Sequence, residues 1–143
     1  MDKTSAQAVV GYLSGTFDLF HIGHLNIIRR AKAQCGRLIV GVHETPSFKG
    51  KADTVIPFAE RLEIVRACRY VDEAVTASDE DTQDWERFHF QKLFVGTDYL
   101  HSERFARYEA FFADKGVEIV YLPYTQQTSS TRIRALIDAR LTE

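Results

Sequence analysis

A short apolar run that passes through a glycine turn into a helix is the feature that most limits what this chain can become. Ala8-Val9-Val10-Gly11-Tyr12-Leu13-Ser14 reads as a strand buried in a sheet, and Gly15-Thr16-Phe17-Asp18-Leu19-Phe20-His21-Ile22-Gly23-His24 follows it. Leu25 to Cys35 then reads as a helix, with Leu25, Ile28, Ala31 and Cys35 near one side and Arg29, Arg30 and Lys32 free to reach solvent. The first N–H groups of a helix lack intrahelical partners, and its dipole favours negative charge there. A strand–glycine turn–helix is therefore a natural anion site. His21 and His24 stand three residues apart at that place, with Gly23 between them allowing close approach. The pattern points to the handling of phosphate.

The remaining chain alternates strand and helix. Arg37 to Val42 reads as a second buried strand after the helix-ending Gly36. Glu44 to Val55, with Pro46, Lys49, Gly50 and Lys51, reads as a loop. Pro57 precedes a helix from Phe58 to Arg69, with Leu62, Val65 and Cys68 on one face. A short strand from Val71 to Val75 leads through an acidic connector, Ala77 to Gln83, to a short helix from Trp85 to Phe90. Leu93 to Val95 is another strand, Ser102 to Lys115 a helix ended by Gly116, and Val117 to Leu122 the last strand. Ser129 to Leu141 closes the chain as a helix with a serine or threonine N-cap. Strands joined by helices require crossovers, so the expected fold is α/β: one Rossmann-like, doubly wound, mostly parallel sheet with helices on both faces. Its ligand belongs at the carboxyl ends of the strands.

Composition bounds the partners. The chain of 143 residues suits one domain with a real core, and a 45% apolar share with 27% charged residues is ordinary for a globular protein. A net charge of −2 gives no reason to expect nucleic acid or an acidic membrane, so local cations must meet any phosphate. No apolar stretch approaches the roughly 20 residues of a membrane helix, and no signal-like region opens the sequence, so a cytoplasmic location is expected. Cys35 and Cys68, both in apolar helical surroundings, are expected as buried thiols. Two histidines are too few for a zinc site, and no metal ligand from the protein is expected.

A second anion site is expected at Thr128-Ser129-Ser130-Thr131, where hydroxyls and free N–H groups precede a helix. N-capping explains one of these residues but not four. Trp85, Phe88, Phe90, Phe105, Phe111 and Phe112 read as core or subunit contacts, and Asp79-Glu80-Asp81 as a solvated loop.

GTFDLFHIGH resembles the HxGH signature of the nucleotidyltransferase superfamily, in the GTFDxxHxGH form of small cytidylyltransferases. Arg69-Tyr70-Val71-Asp72-Glu73 resembles the family's RYVDE, Gly96-Thr97-Asp98-Tyr99 its GDDW, and Thr125 to Thr131 the tail of RTEGISTT. The four blocks fall in the family's order over roughly residues 9 to 137 and are most similar to the glycerol-3-phosphate cytidylyltransferases.

The resemblance implies that a substrate phosphate attacks the α-phosphorus of CTP and expels pyrophosphate. The lead acceptor is glycerol 3-phosphate. Phosphocholine, phosphoethanolamine, a sugar phosphate, or ATP with FMN are the alternatives. Mg2+ would accompany the triphosphate, and RYVDE implies a homodimer. The resemblance assigns catalysis to His21, His24 and the loop residue Lys51. It implies nucleotide binding by Gly15, Thr16, Phe17, Asp18, Gly23, Gly96, Asp98, Tyr99, Thr125, Thr128, Ser129, Ser130 and Thr131. Asp18 can also fix the turn by accepting backbone N–H bonds. Lys49, Arg61 and Arg69 are implied near the substrate phosphate, and the two arginines alternatively at the subunit contact or in salt bridges with Glu60, Glu63 or Asp72. Tyr124 replaces the family's arginine and Gln127 its glycine, so either Arg132, Lys49 or Lys51 supplies the missing cation, or the reaction is slower or differs in substrate. Thr97 and Tyr99 replace an acid and a tryptophan of GDDW. These departures leave a non-catalytic nucleotide-binding module as the reading from another class; intact His21 and His24 argue against it.

Overall fold

The computed structural model describes residues 9–45, 54–123 and 129–142. Lys49, Lys51, Tyr124, Thr125, Gln127 and Thr128 lie outside the described residues. Five strands form one parallel sheet in the order β3-β2-β1-β4-β5: β1 (Val10–Gly15), β2 (Arg37–Val42), β3 (Glu73–Thr76), β4 (Lys92–Gly96) and β5 (Glu118–Leu122). The helices between them are α1 (Ile22–Lys32), α2 (Phe58–Ala67), α3 (Asp81–Phe88) and α4 (Glu103–Phe112), and α5 (Ser130–Leu141) follows β5. This is the expected Rossmann-like α/β domain.

The strands alternate their side chains between two cores. Leu13, Leu38, Val40, Val42 and Phe94 meet Ile28 and Ala31 of α1 and Val65 of α2 on one face. Tyr12, Ile39, Leu93 and Val95 meet Phe90 and, from α4, Phe105, Tyr108 and Phe112 on the other. The aromatic residues that spacing marked as core or contact thus fill the second core, with Trp85, Phe88 and Phe111 at its margin. Gly41 is required by this packing, because a Cβ there would collide with the Tyr12 hydroxyl. Cys35 and Cys68 are free thiols, half-buried rather than buried. Among the described residues no helix is long and apolar enough to cross a membrane.

Several element boundaries moved. α1 begins three residues before the expected start, because His21 caps it. α3 begins at Asp81 rather than Trp85, since the Glu80 N–H donates to Gln83 Oε1 at 3.1 Å and closes the first turn. The Asp79-Glu80-Asp81 run is consequently not a solvated loop. Glu80 pairs with Arg104 and Arg107, and Asp81 is only 8% exposed.

Candidate active site

The strand order reverses between β1 and β4, and an open crevice forms beyond the carboxyl ends of strands at such a point. A cavity of about 420 Å³ lies there, reaching from Gly15, Thr16, Asp18 and His24 across Ser14 and Val95 to Tyr108. It meets both faces of the sheet.

The turn from β1 to α1 carries the strongest local constraint. Phe17 and Leu19 both adopt left-handed backbone, at φ 54° and 53°. Such a conformation costs a non-glycine residue about 1–2 kcal/mol, so the surroundings must impose it. They do so by hydrogen bonds: His43 N–H donates to the Gly15 carbonyl at 3.0 Å, and Arg61 Nη1 to the Thr16 carbonyl at 2.7 Å. A Cβ on Gly15 would sit 3.0 Å from the Phe17 ring, which is why the turn opens on glycine.

His21 and His24 cap α1 reciprocally. The Gly23 N–H donates to His21 Nδ1 at 3.0 Å, and the His21 N–H to His24 Nδ1 at 3.1 Å. N-cap and N3 are the positions that can reciprocate in this way, which explains the three-residue spacing. With Nδ1 accepting in both rings, each neutral imidazole carries its proton on Nε2 and is a donor there. Burial pushes the His24 ring down to about 3, helped by His21 beside it and opposed by Asp18, and burial lowers His21 as well. At neutral pH the pair therefore offers two uncharged N–H donors, with ring centres 4.0 Å apart.

Asp18 is a hub. It is 4% exposed, and its carboxylate accepts from the Val55 and Ile56 N–H groups at 2.9 and 3.0 Å and from Arg134 of α5. Ser130 Oγ donates to its carbonyl at 2.7 Å. Burial works to raise its carboxyl, but the two N–H groups and the Arg134 guanidinium outweigh it and hold it below the ordinary carboxylate range. The carboxylate thus accepts backbone N–H bonds from a distant segment rather than from its own turn.

Arg61 corrects the expectation of a phosphate contact or a surface salt bridge. It is 1% exposed and donates to the carbonyls of Ile56, Thr16, His43 and Glu44 at 2.7–2.9 Å. It fastens residues on both sides of the 46–53 segment to the turn. Arg69 is not brought to the cavity either. It precedes β3, so it lies at the amino ends of parallel strands, roughly a strand length of 15–20 Å from their carboxyl ends. Its guanidinium lies 5.6 Å from the Tyr70 ring centre. Asp72, offered as its salt-bridge partner, instead holds Lys32 and the Leu38 N–H.

The hydroxyls before α5 divide their tasks. Ser129 caps the helix by accepting from the Arg132 N–H at 3.0 Å, Ser130 anchors to Asp18, and Thr131 lines the cavity. Tyr99 also lines it, whereas Gly96 and Asp98 are not among the lining residues. The Thr16 hydroxyl is buried in the cavity wall without a protein partner among the described residues, a group that a ligand would complete. Arg134 is the residue the motif reading missed. It follows Ser130 by one helical turn and so shares its face. That i, i+4 spacing was the available signal. Among the described residues no three His, Cys, Asp or Glu side chains gather to hold a metal ion.

Known proteins bear on this geometry. A family model described as cytidylyltransferase-like matches residues 12–136. The probable ethanolamine-phosphate cytidylyltransferase of Encephalitozoon cuniculi is 46% identical over 65 residues, 45% of this chain and 20% of that protein. The chain spans about a fifth of the ethanolamine-phosphate relatives it matches. The FAD synthase of Thermococcus kodakarensis is 26% identical over 129 residues, 87% of either chain. A lipopolysaccharide core biosynthesis protein from Thermoplasma volcanium shares the fold with a TM-score of 0.68 at 16% identity, over 84% of this chain and 98% of the other.

Proposed function

The chain belongs to the cytidylyltransferase-like family, and from that premise we propose that it transfers CMP from CTP to a small phosphorylated alcohol with release of pyrophosphate. A phosphate oxygen of the acceptor attacks the α-phosphorus, and the bond to the β-phosphate oxygen breaks. The nucleophile is already an anion, so the protein supplies alignment and hydrogen-bond donors where charge gathers.

The observation that carries this reading is the reciprocal capping of His21 and His24, which leaves both Nε2–H groups as donors at the N-terminus of α1, with His24 in the wall of a cavity that also meets the N-terminus of α5. Thr131 and Arg134 are suited to the departing pyrophosphate. Arg134, which lines the cavity and pairs with Asp18, is suited to supply the cation that Tyr124 does not. Mg2+ enters with the triphosphate as part of the substrate. Lys49 and Lys51 remain proposals for the acceptor and transferring phosphates.

Glycerol 3-phosphate is the lead acceptor on the four sequence blocks, and phosphoethanolamine is supported by the names of the relatives. ATP with FMN is a second reading, supported by the near full-length similarity to an FAD synthase. A homodimer through the Arg69 to Glu73 segment is proposed on the RYVDE-like block. Purified chain with MgCTP and each phosphorylated alcohol should release pyrophosphate, and His21→Ala should abolish this in a folded protein. Release only from MgATP with FMN would select the second reading. CTP binding without turnover on any acceptor would make the chain a binding module.

A further inference from the structure

The cavity has two chemically unlike walls. One holds His24, Ser130, Thr131 and Arg134 at the N-termini of α1 and α5; the other carries Asp79 and Asp81 beside the rings of Tyr99, Phe105 and Tyr108. Arg104 reaches the second wall too. Its guanidinium, however, is matched by Glu80 at 2.7 Å and donates to the Asp79 carbonyl. Asp81 is held firmly: Ser14 Oγ donates to its carboxylate at 2.7 Å, and its own N–H donates to the Tyr108 hydroxyl at 3.1 Å.

Carboxylates on that wall repel phosphate, whereas an ionised carboxylate accepts hydrogen bonds from hydroxyl or ammonium groups. In-line displacement sets the attacking oxygen opposite the leaving pyrophosphate. With pyrophosphate at α5, the acceptor extends away from α5, toward the wall of Asp81. Resting on the reaction proposed above, we infer that Asp81 is a specificity-determining residue that reads the phosphate-free end of the acceptor, selecting acceptors whose far end donates hydrogen bonds. The two sources of that chemistry are a polyol and an amino alcohol.

The test compares phosphoethanolamine and glycerol 3-phosphate with ethyl phosphate, which keeps the nucleophile and lacks the donor. Wild type should prefer a donor-bearing acceptor by about tenfold to a hundredfold in kcat/KM, the range of a hydrogen bond to a charged group. Asp81→Asn should reduce that preference to within about twofold, with the acceptor's KM moving more than that of CTP. Ser14→Ala, which removes the bond orienting the carboxylate, should move the preference the same way by less, and it decides the matter if Asp81→Asn does not fold. Loss confined to phosphoethanolamine would identify the ammonium as the group read, and loss confined to glycerol 3-phosphate the hydroxyls. A preference retained in Asp81→Asn, or an equal rise in the KM of CTP, would overturn the inference while leaving the reaction intact. If no acceptor turns over, the reaction itself fails. Calorimetric binding of phosphoethanolamine, glycerol 3-phosphate and ethyl phosphate to wild type and Asp81→Asn then still decides: a donor-dependent difference lost in the variant supports the inference, and identical binding overturns it.

Discussion

The first and last helices turn their N-termini toward the same cavity, yet the protein holds them by different means. α1 buries Gly23, Ile28 and Ala31 and grows directly out of the central strand. α5 buries none of its residues and leaves Leu136, Ile137 and Leu141 exposed to solvent, at 50%, 47% and 80%. A free helix of its 12 residues would be marginal in water. Its described ties to the site are polar, through Ser130 and Arg134 to Asp18. One cavity-facing helix is thus part of the core, and the other is tied to the site through an aspartate that also holds the residues leading into α2.

The contrast can be broken at several points. The largest effect is expected where the core-held helix meets chemistry. His24→Ala removes an Nε2 donor and should lower kcat by about 10²–10³-fold, read by pyrophosphate release; a loss below tenfold would remove His24 from the reaction. Asp18→Ala comes next. It leaves the Val55 and Ile56 N–H groups without their acceptor and frees Arg134, which should cost about 2–4 kcal/mol in urea unfolding and weaken CTP binding. An unchanged midpoint would show that α5 and the loop are held by something else.

Arg134→Ala sharpens the same point. Its side chain is 40% exposed, so the pair with Asp18 should contribute less than about 1 kcal/mol to stability. The KM for CTP, by contrast, should rise about tenfold. A variant that unfolds readily but binds CTP normally would reverse the assignment. The most gradual effect is in pH. An unfolded imidazole takes its proton near 6.5 and the folded His24 only near 3. Between these values the unfolded chain binds more protons, so stability should fall as pH drops, by roughly 1 kcal/mol per unit. Asp18, held below its ordinary range, acts in the same direction as pH falls through its folded value. His24→Asn should flatten the slope above pH 5; a slope unaltered by that change would place its origin in other groups.

Much of this protein could be read along the chain. Periodicity located all five strands and the helices between them, because alternation and the helical repeat report which face is buried. Boundaries shifted where a side chain acted as a cap, at His21 and at Glu80, since a cap is a hydrogen bond and leaves no trace in hydrophobic spacing. His21 and His24 were identifiable because their relation is local, spanning one helical turn. Arg134 was open to the same local argument, one turn beyond Ser130, and was passed over.

Arg61 and Asp81 were misread for a different reason. An arginine among glutamates on a helix looks like a surface ion pair, and an acidic run looks solvated. Neither local pattern says that four carbonyls converge on the Arg61 guanidinium, or that Ser14 and Tyr108 enclose Asp81. Residue order alone determined the parallel sheet, the strained turn's glycine entry and the paired imidazoles, all products of near-neighbour sterics and repeat. Folding in three dimensions decided which charged side chains became struts and which face the cavity. That choice depends largely on hydrogen-bond partners as far as 116 positions away, whose proximity exists only once the sheet has closed.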